Sequence, residues 1–281
     1  MKKSQSPRYQ HPQILIFGDS YADPNLKAIG IYQQDTPWYE LLGSDYKITN
    51  NALSGTGPHY SFKEYYNFIL KLKNYEYEDY IVIFFLSGED RIHFPKTNPE
   101  KISHINWDFY KKESWFCEHP DFVEEQSYYN TFKSEIDFFF LTMHEELKWS
   151  NFKNVGFLHM NSLILNMKTI VFCTFGNKIL SNGEVDMDMT KLNNSNFYIH
   201  PIEMGYISSE EFKDRNEDNY DFMDHRRNHL SQQNHKVLYE NIKKIIVNDY
   251  KNLIPFVKNI DESKNLGIRK HTEKTGDFIY E

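Results

Sequence analysis

Ile14-Leu15-Ile16-Phe17 is an unbroken apolar run that stops abruptly at Gly18-Asp19-Ser20. A strand with one wet face alternates apolar and polar residues; one that does not alternate is covered on both faces, which is the situation of a strand inside a parallel sheet. The run therefore predicts a buried strand whose carboxyl end opens into a tight polar turn. Ligands of open α/β sheets sit just beyond such ends, so Ser20 is the first candidate for chemistry. Gly-Asp-Ser is also ordinary turn chemistry, and other segments must decide between the two.

The rest of the chain repeats the pattern. Trp38 to Leu42 reads as a short helix ending at Gly43, Tyr46 to Asn50 as a short strand, and Ser61 to Lys73 as a helix with Phe62, Tyr65, Tyr66, Ile69 and Leu72 near helical spacing. Tyr80 to Leu86 is the strongest buried strand. Ser127 to Trp149 and Asn151 to Met167 read as two helices, followed by a strand at Thr169 to Cys173. Ser231 is an N-cap for a last helix carrying Val237, Leu238, Ile242, Ile245 and Ile246 on one face. Strands alternating with helices predict an α/β fold with a parallel sheet covered on both sides. With 281 residues, 40% of them hydrophobic, the chain can bury the core of one elaborated domain. That domain is expected over 1–261, with an insertion at 91–123 and a polar tail at 262–281. The insertion holds Pro95, Pro99 and Pro120 and the aromatics Phe94, Trp107, Phe109, Tyr110, Trp115 and Phe116. Those aromatics read first as packing and second as a roof over a site.

Three segments in order, Gly18-Asp19-Ser20, Asn51-Ala52-Leu53-Ser54-Gly55 and Asn228-His229-Leu230-Ser231, resemble the SGNH/GDSL hydrolases, a family of serine esterases and lipases. The resemblance spans roughly Ile14 to Val247. It implies a three-layer α/β/α fold with a mostly parallel, flavodoxin-like sheet of about five strands. It also implies Ser20 as nucleophile, the backbone N–H groups of Ser20 and Gly55 as oxyanion donors, and His229 as general base. The chemistry is consistent with those residue types, because a serine hydroxyl needs a base to take its proton as it attacks. His225 is the second choice for that base, and His235, inside the last helix, is less suited.

The chain departs from the family at two positions. Where the family has an Asp three residues before the His, this chain has Arg226, which cannot orient an imidazole or stabilise its charged form. Asp224 is the preferred acid, ahead of Asp221; Arg226 is then a contact for an anionic substrate group or a partner for neighbouring acids. Where the family has an oxyanion-binding Asn after the central strand, Ser87-Gly88-Glu89-Asp90-Arg91 puts Glu89. A carboxylate repels an oxyanion, so Glu89 must be neutral or turned away, or Arg91 must take over. Asp19 and Glu89 are grouped with Arg226 as substrate contacts.

The expected function is hydrolysis of a small or carbohydrate O-acyl ester by Ser-His-Asp catalysis without metal or cofactor. Two alternatives stay open. One is a noncatalytic binding protein on the same fold. The other is a metal-dependent phosphoesterase using Asp221, Asp224, His225 and His229, whose spacing matches no strong ligand motif. Ser54-Gly55-Thr56-Gly57 lacks the Lys-Ser/Thr of a phosphate loop. A net charge of -8 provides no field to gather nucleic acid. Cys117 and Cys173, the only cysteines, are too far apart in the sequence to suggest a metal motif and too few for a disulfide framework. Met1 to Gln13 has no apolar leader core, and no run is long enough to cross a bilayer, so a cytoplasmic protein without a membrane partner is expected.

Overall fold

The computed structural model describes residues 12–26, 36–73, 76–87, 127, 130–174, 178–181, 184–212, 230–256, 269–271 and 278–280. Five strands form one all-parallel sheet: β1 (Gln13–Gly18), β2 (Ile48–Asn50), β3 (Tyr80–Leu86), β4 (Lys168–Cys173) and β7 (Phe197–Ile199), in the order β2-β1-β3-β4-β7. Two antiparallel pairs stand apart from it. They are β5 (Lys178–Ser181) with β6 (Glu184–Asp188), and β8 (Arg269–His271) with β9 (Phe278–Tyr280), the second lying within the stretch read as a tail.

The central strands β1, β3 and β4 are largely apolar because each face has its own helical layer. Ile14 and Ile16 of β1, Ile81, Ile83 and Phe85 of β3, and Ile170 and Phe172 of β4 join one cluster. It includes Trp38 and Leu42 of α1 (Trp38–Gly43), Ile207 of α4 (Met204–Phe212), and Leu238, Ile242 and Ile245 of α5 (Gln232–Ile246). The alternate residues Leu15, Phe17, Val82, Phe84 and Val171 join the other. There they meet Phe62, Tyr65 and Ile69 of α2 (Pro58–Ile69) and Val155 and Leu158 of α3 (Lys133–Ile164). This is a three-layer α/β/α arrangement. Phe85 is its hub on the first face, with ring centroids 4.9 Å from Trp38 and 4.8 Å from Phe172; each fully buried side chain of this size contributes about 1.5–3 kcal/mol.

The order of crossovers positions the site. From β1 the chain passes through α1 to β2 on one side of β1; it then returns through α2, on the opposite face, to β3 on the other side. The strand order thus reverses between β1 and β3, and in such sheets a crevice opens at their carboxyl ends.

Several boundaries differ from those expected. Residues 133–164 form one continuous helix rather than two, since Ser150 and Asn151 are weak helix formers but not breakers. The strand β7 and the helix α4 are not anticipated by periodicity. The edge strand β7 is only three residues long, and its outer hydrogen bonds are supplied by two asparagines: Ile199 N–H donates to Asn193 Oδ1 at 2.6 Å, Asn193 Nδ2 donates to Ile199 O at 3.0 Å, and Phe197 N–H donates to Asn194 Oδ1 at 3.0 Å.

Candidate functional site

Ser20 follows β1 in a turn whose every neighbour is tied down. Ala22 N–H donates to Asp19 O at 3.1 Å, closing a four-residue turn with Ser20 at its second position. The Asp19 carboxylate accepts from Tyr21 N–H at 3.1 Å through Oδ1 and from the Thr174 hydroxyl at 3.2 Å through Oδ2. Tyr21 is buried, shares a hydrogen bond with the Ser208 hydroxyl at 2.9 Å, and receives the Trp38 indole N–H on its carbonyl at 2.9 Å. Ser20 itself is half-buried. On its other side, Gly18 lies so close to β3 that a Cβ there would meet Phe85 Cβ at 2.7 Å.

Gly55 sits in the loop after β2. The Thr56 hydroxyl donates to Leu53 O at 2.7 Å, and Gly55 takes φ 74°, the left-handed region that glycine tolerates best. This loop continues the β1–β2 pairing beyond the strand: Asn51 N–H donates to Ile16 O at 2.8 Å and Leu53 N–H to Gly18 O at 3.0 Å. Two side chains cross between the loops. Asn50 Nδ2 donates to Ala22 O at 2.7 Å, and Asp23 Oδ2 accepts Ser54 N–H at 2.7 Å. The structure therefore brings Asp19, Ser20 and the Ser54-Gly55 loop together at one sheet edge.

Further polar groups sit buried near the same edge. Ser87 follows β3, and its hydroxyl takes no hydrogen bond among the described residues, as is also true of Ser54 Oγ. Thr174 follows β4, and its carbonyl accepts Gly205 N–H at 2.9 Å. His200 follows β7 and lies among the rings of Phe172, Tyr198 and Phe256. Burial pushes its pKa down to about 4, and a backbone hydrogen bond with Ile202 opposes that shift. Glu203, three residues on, is fully buried.

Of the residues expected at the site, Glu89, Arg91, Asp224, Arg226 and His229 lie outside the described residues, as do Asp221, His225 and the insertion at 91–123. The two residues after His229 are described. Leu230 is buried in the cluster that contains Tyr21 and Ala22, and the Ser231 hydroxyl caps α5 by accepting Asn234 N–H at 3.3 Å. His235 is buried inside α5, its Nδ1 3.5 Å from Trp38 N, as suits a packing role. Asp23, Ser87, Thr174, His200 and Glu203 were not singled out from the sequence. Asp23 alone carried a signal, because Asp-Pro-Asn is a turn-forming triplet.

Among the described residues no cluster of His, Cys, Asp and Glu could hold a metal ion, and no helix is long and apolar enough to cross a membrane. No protein-family model matches the chain, and neither a curated protein nor a solved structure matches it.

Proposed function

We propose that this protein is a serine ester hydrolase acting on a small or carbohydrate O-acyl ester. Ser20 is the nucleophile, His229 the general base, and Asp224 the acid that orients it. The observation that supports this reading best is the presentation of Ser20. It stands at the carboxyl end of β1, where the strand order reverses, on a turn anchored by Asp19 and Tyr21, with the left-handed Gly55 loop hydrogen-bonded to the same strand end.

Acyl transfer needs that combination. The attacking oxygen must be held within reach of the carbonyl, and backbone donors must already face the place where negative charge will develop. In this reading the Ser20 and Gly55 N–H groups are those donors, with Arg91 completing the set and Glu89 turned aside. His229 precedes Leu230, whose packing in the same cluster as Tyr21 and Ala22 favours a short path from the base to Ser20. The proton then passes from Ser20 Oγ to the imidazole on attack and from the imidazole to the departing alcohol; water repeats the cycle on the acyl-serine. A small or carbohydrate ester is the substrate class that the family resemblance and the aromatic content of 91–123 suggest.

The test is a panel of p-nitrophenyl esters and a fluorophosphonate probe, applied to the wild type and to Ser20→Ala. The expected result is turnover and covalent labelling in the wild type, with both lost in Ser20→Ala. Undiminished turnover in that variant would remove Ser20 from the mechanism.

A further inference from the structure

Asp23 is buried, yet neither of its carboxylate oxygens faces a described cation. Oδ1 accepts Asn25 N–H at 2.8 Å and so caps the 3-10 turn Pro24–Leu26; Oδ2 accepts Ser54 N–H at 2.7 Å, from a residue 31 positions away in the other loop. Its own carbonyl accepts the Tyr39 hydroxyl at 3.0 Å, which fixes Asp23 to α1. The carboxylate is thus a brace between the loop that bears Ser20 and the loop that bears Gly55, with one end anchored to the scaffold.

From this geometry we infer that Asp23 is a positioning residue that sets the oxyanion donor of Gly55. The inference rests on the serine hydrolase reading and deepens it. The Ser54 N–H immediately precedes Gly55, so holding it by a short charge-assisted bond fixes the orientation of the peptide planes that follow. A backbone donor contributes to acyl transfer only if it is already aimed at the oxyanion, because reorienting it during the reaction forfeits the gain. Asn50, whose Oδ1 accepts Ala52 N–H at 3.0 Å while its Nδ2 holds Ala22 O, ties the same two loops one step further from Gly55. With that second tie in place, removing Asp23 Oδ2 loosens the aim of the loop without detaching it.

The deciding variants are Asp23→Asn and Asp23→Ser. Asn has one acceptor oxygen for the two N–H donors and must turn its NH2 toward either Ser54 or Asn25. Ser still caps the 3-10 turn, since Ser is a good N-cap, but is too short to reach Ser54. Steady-state ester turnover is measured with hydrogen exchange of the 51–56 amides. The expected outcome in Asp23→Ser, and in Asp23→Asn where its NH2 faces Ser54, is a fall in kcat on the order of 10²-fold, as for the loss of one oxyanion donor, little change in KM, and faster exchange at Ser54. A merely structural role would instead lower the thermal midpoint and leave kcat of the folded fraction unchanged. If Asp23→Asn fails to fold, Asp23→Ser carries the same expectation. Wild-type turnover together with kcat within threefold in a folded variant whose Ser54 amide exchanges faster overturns the positioning role alone; unchanged Ser54 exchange in Asp23→Ser overturns it equally. A wild type that neither turns over ester nor labels overturns the hydrolase reading, and the positioning role falls with it.

Discussion

The Thr174 hydroxyl donates to Asp19 Oδ2 at 3.2 Å, joining residues 155 positions apart across the end of β3, which lies between their strands. The bond spans the crevice where the strand order reverses, and Thr174 N–H in turn donates to Leu86 O at 2.7 Å, so three strand ends are locked in one row. Both side chains are buried. Thr174→Val keeps the shape and removes one hydroxyl donor to a buried carboxylate, at a cost of about 1–3 kcal/mol. Urea denaturation should show that loss as a lower midpoint at unchanged slope; an unshifted midpoint would mean that Asp19 has enough other donors.

Gly18 offers a second test of the same strand end. A Cβ built there would approach Phe85 Cβ at 2.7 Å and Phe85 O at 2.8 Å, and neither atom is the end of a flexible side chain. Gly18→Ala must therefore push β1 and β3 apart, an overpacking expected to destabilise by about 1–3 kcal/mol. Because Ser20 is two residues on, activity should fall further than stability. A variant as stable and as active as the wild type would contradict the close approach.

The β1 end was legible in the sequence because two signals agree there, the non-alternating apolar run and the small polar turn. The same holds for β3, β4 and the Ser231 cap. What was not legible are the features made by distant partners. Asn193 and Asn194 look like turn residues, but Asn193 pairs with Ile199 as a further strand would. Nor does any local pattern mark Asp23 as a brace to Ser54, Thr174 as a partner of Asp19, or Glu203 as a buried acid; those roles exist only once the crossovers bring the strand ends together. Gly55 was legible as part of a motif, and its φ of 74° supplies the physical reason for glycine there.

His200 predicts a pH dependence of stability. Its folded pKa lies near 4 against an ordinary 6.5, a depression caused by burial. Between those values the unfolded chain binds a proton at this site and the folded chain does not. Its contribution is therefore complete above about pH 6.5 and is lost as the pH falls toward 4, by ~3 kcal/mol at most. Chemical denaturation of the wild type and of His200→Gln, compared from pH 7.5 to 4, should show the wild type losing its advantage through that window. Parallel curves would show that His200 titrates alike in both states.

The base and its acid partner are proposed from the family resemblance and can be assigned by kinetics. If His229 takes the proton from Ser20, His229→Ala loses about as much as Ser20→Ala, because members of a triad act as a unit and their losses do not add. The double variant should be no worse than either single one. Asp224→Asn should lose less, since the imidazole remains and only its orientation and charge stabilisation suffer. The acidic limb of the kcat/KM profile reports the pKa of the base in the free enzyme, so removing the carboxylate should move that limb to lower pH, whereas a change that merely disturbs packing would scale the profile without shifting it. Should Asp221→Asn shift the limb while Asp224→Asn leaves it in place, the acid is Asp221, and Asp224 is left available to pair with Arg226, two residues on.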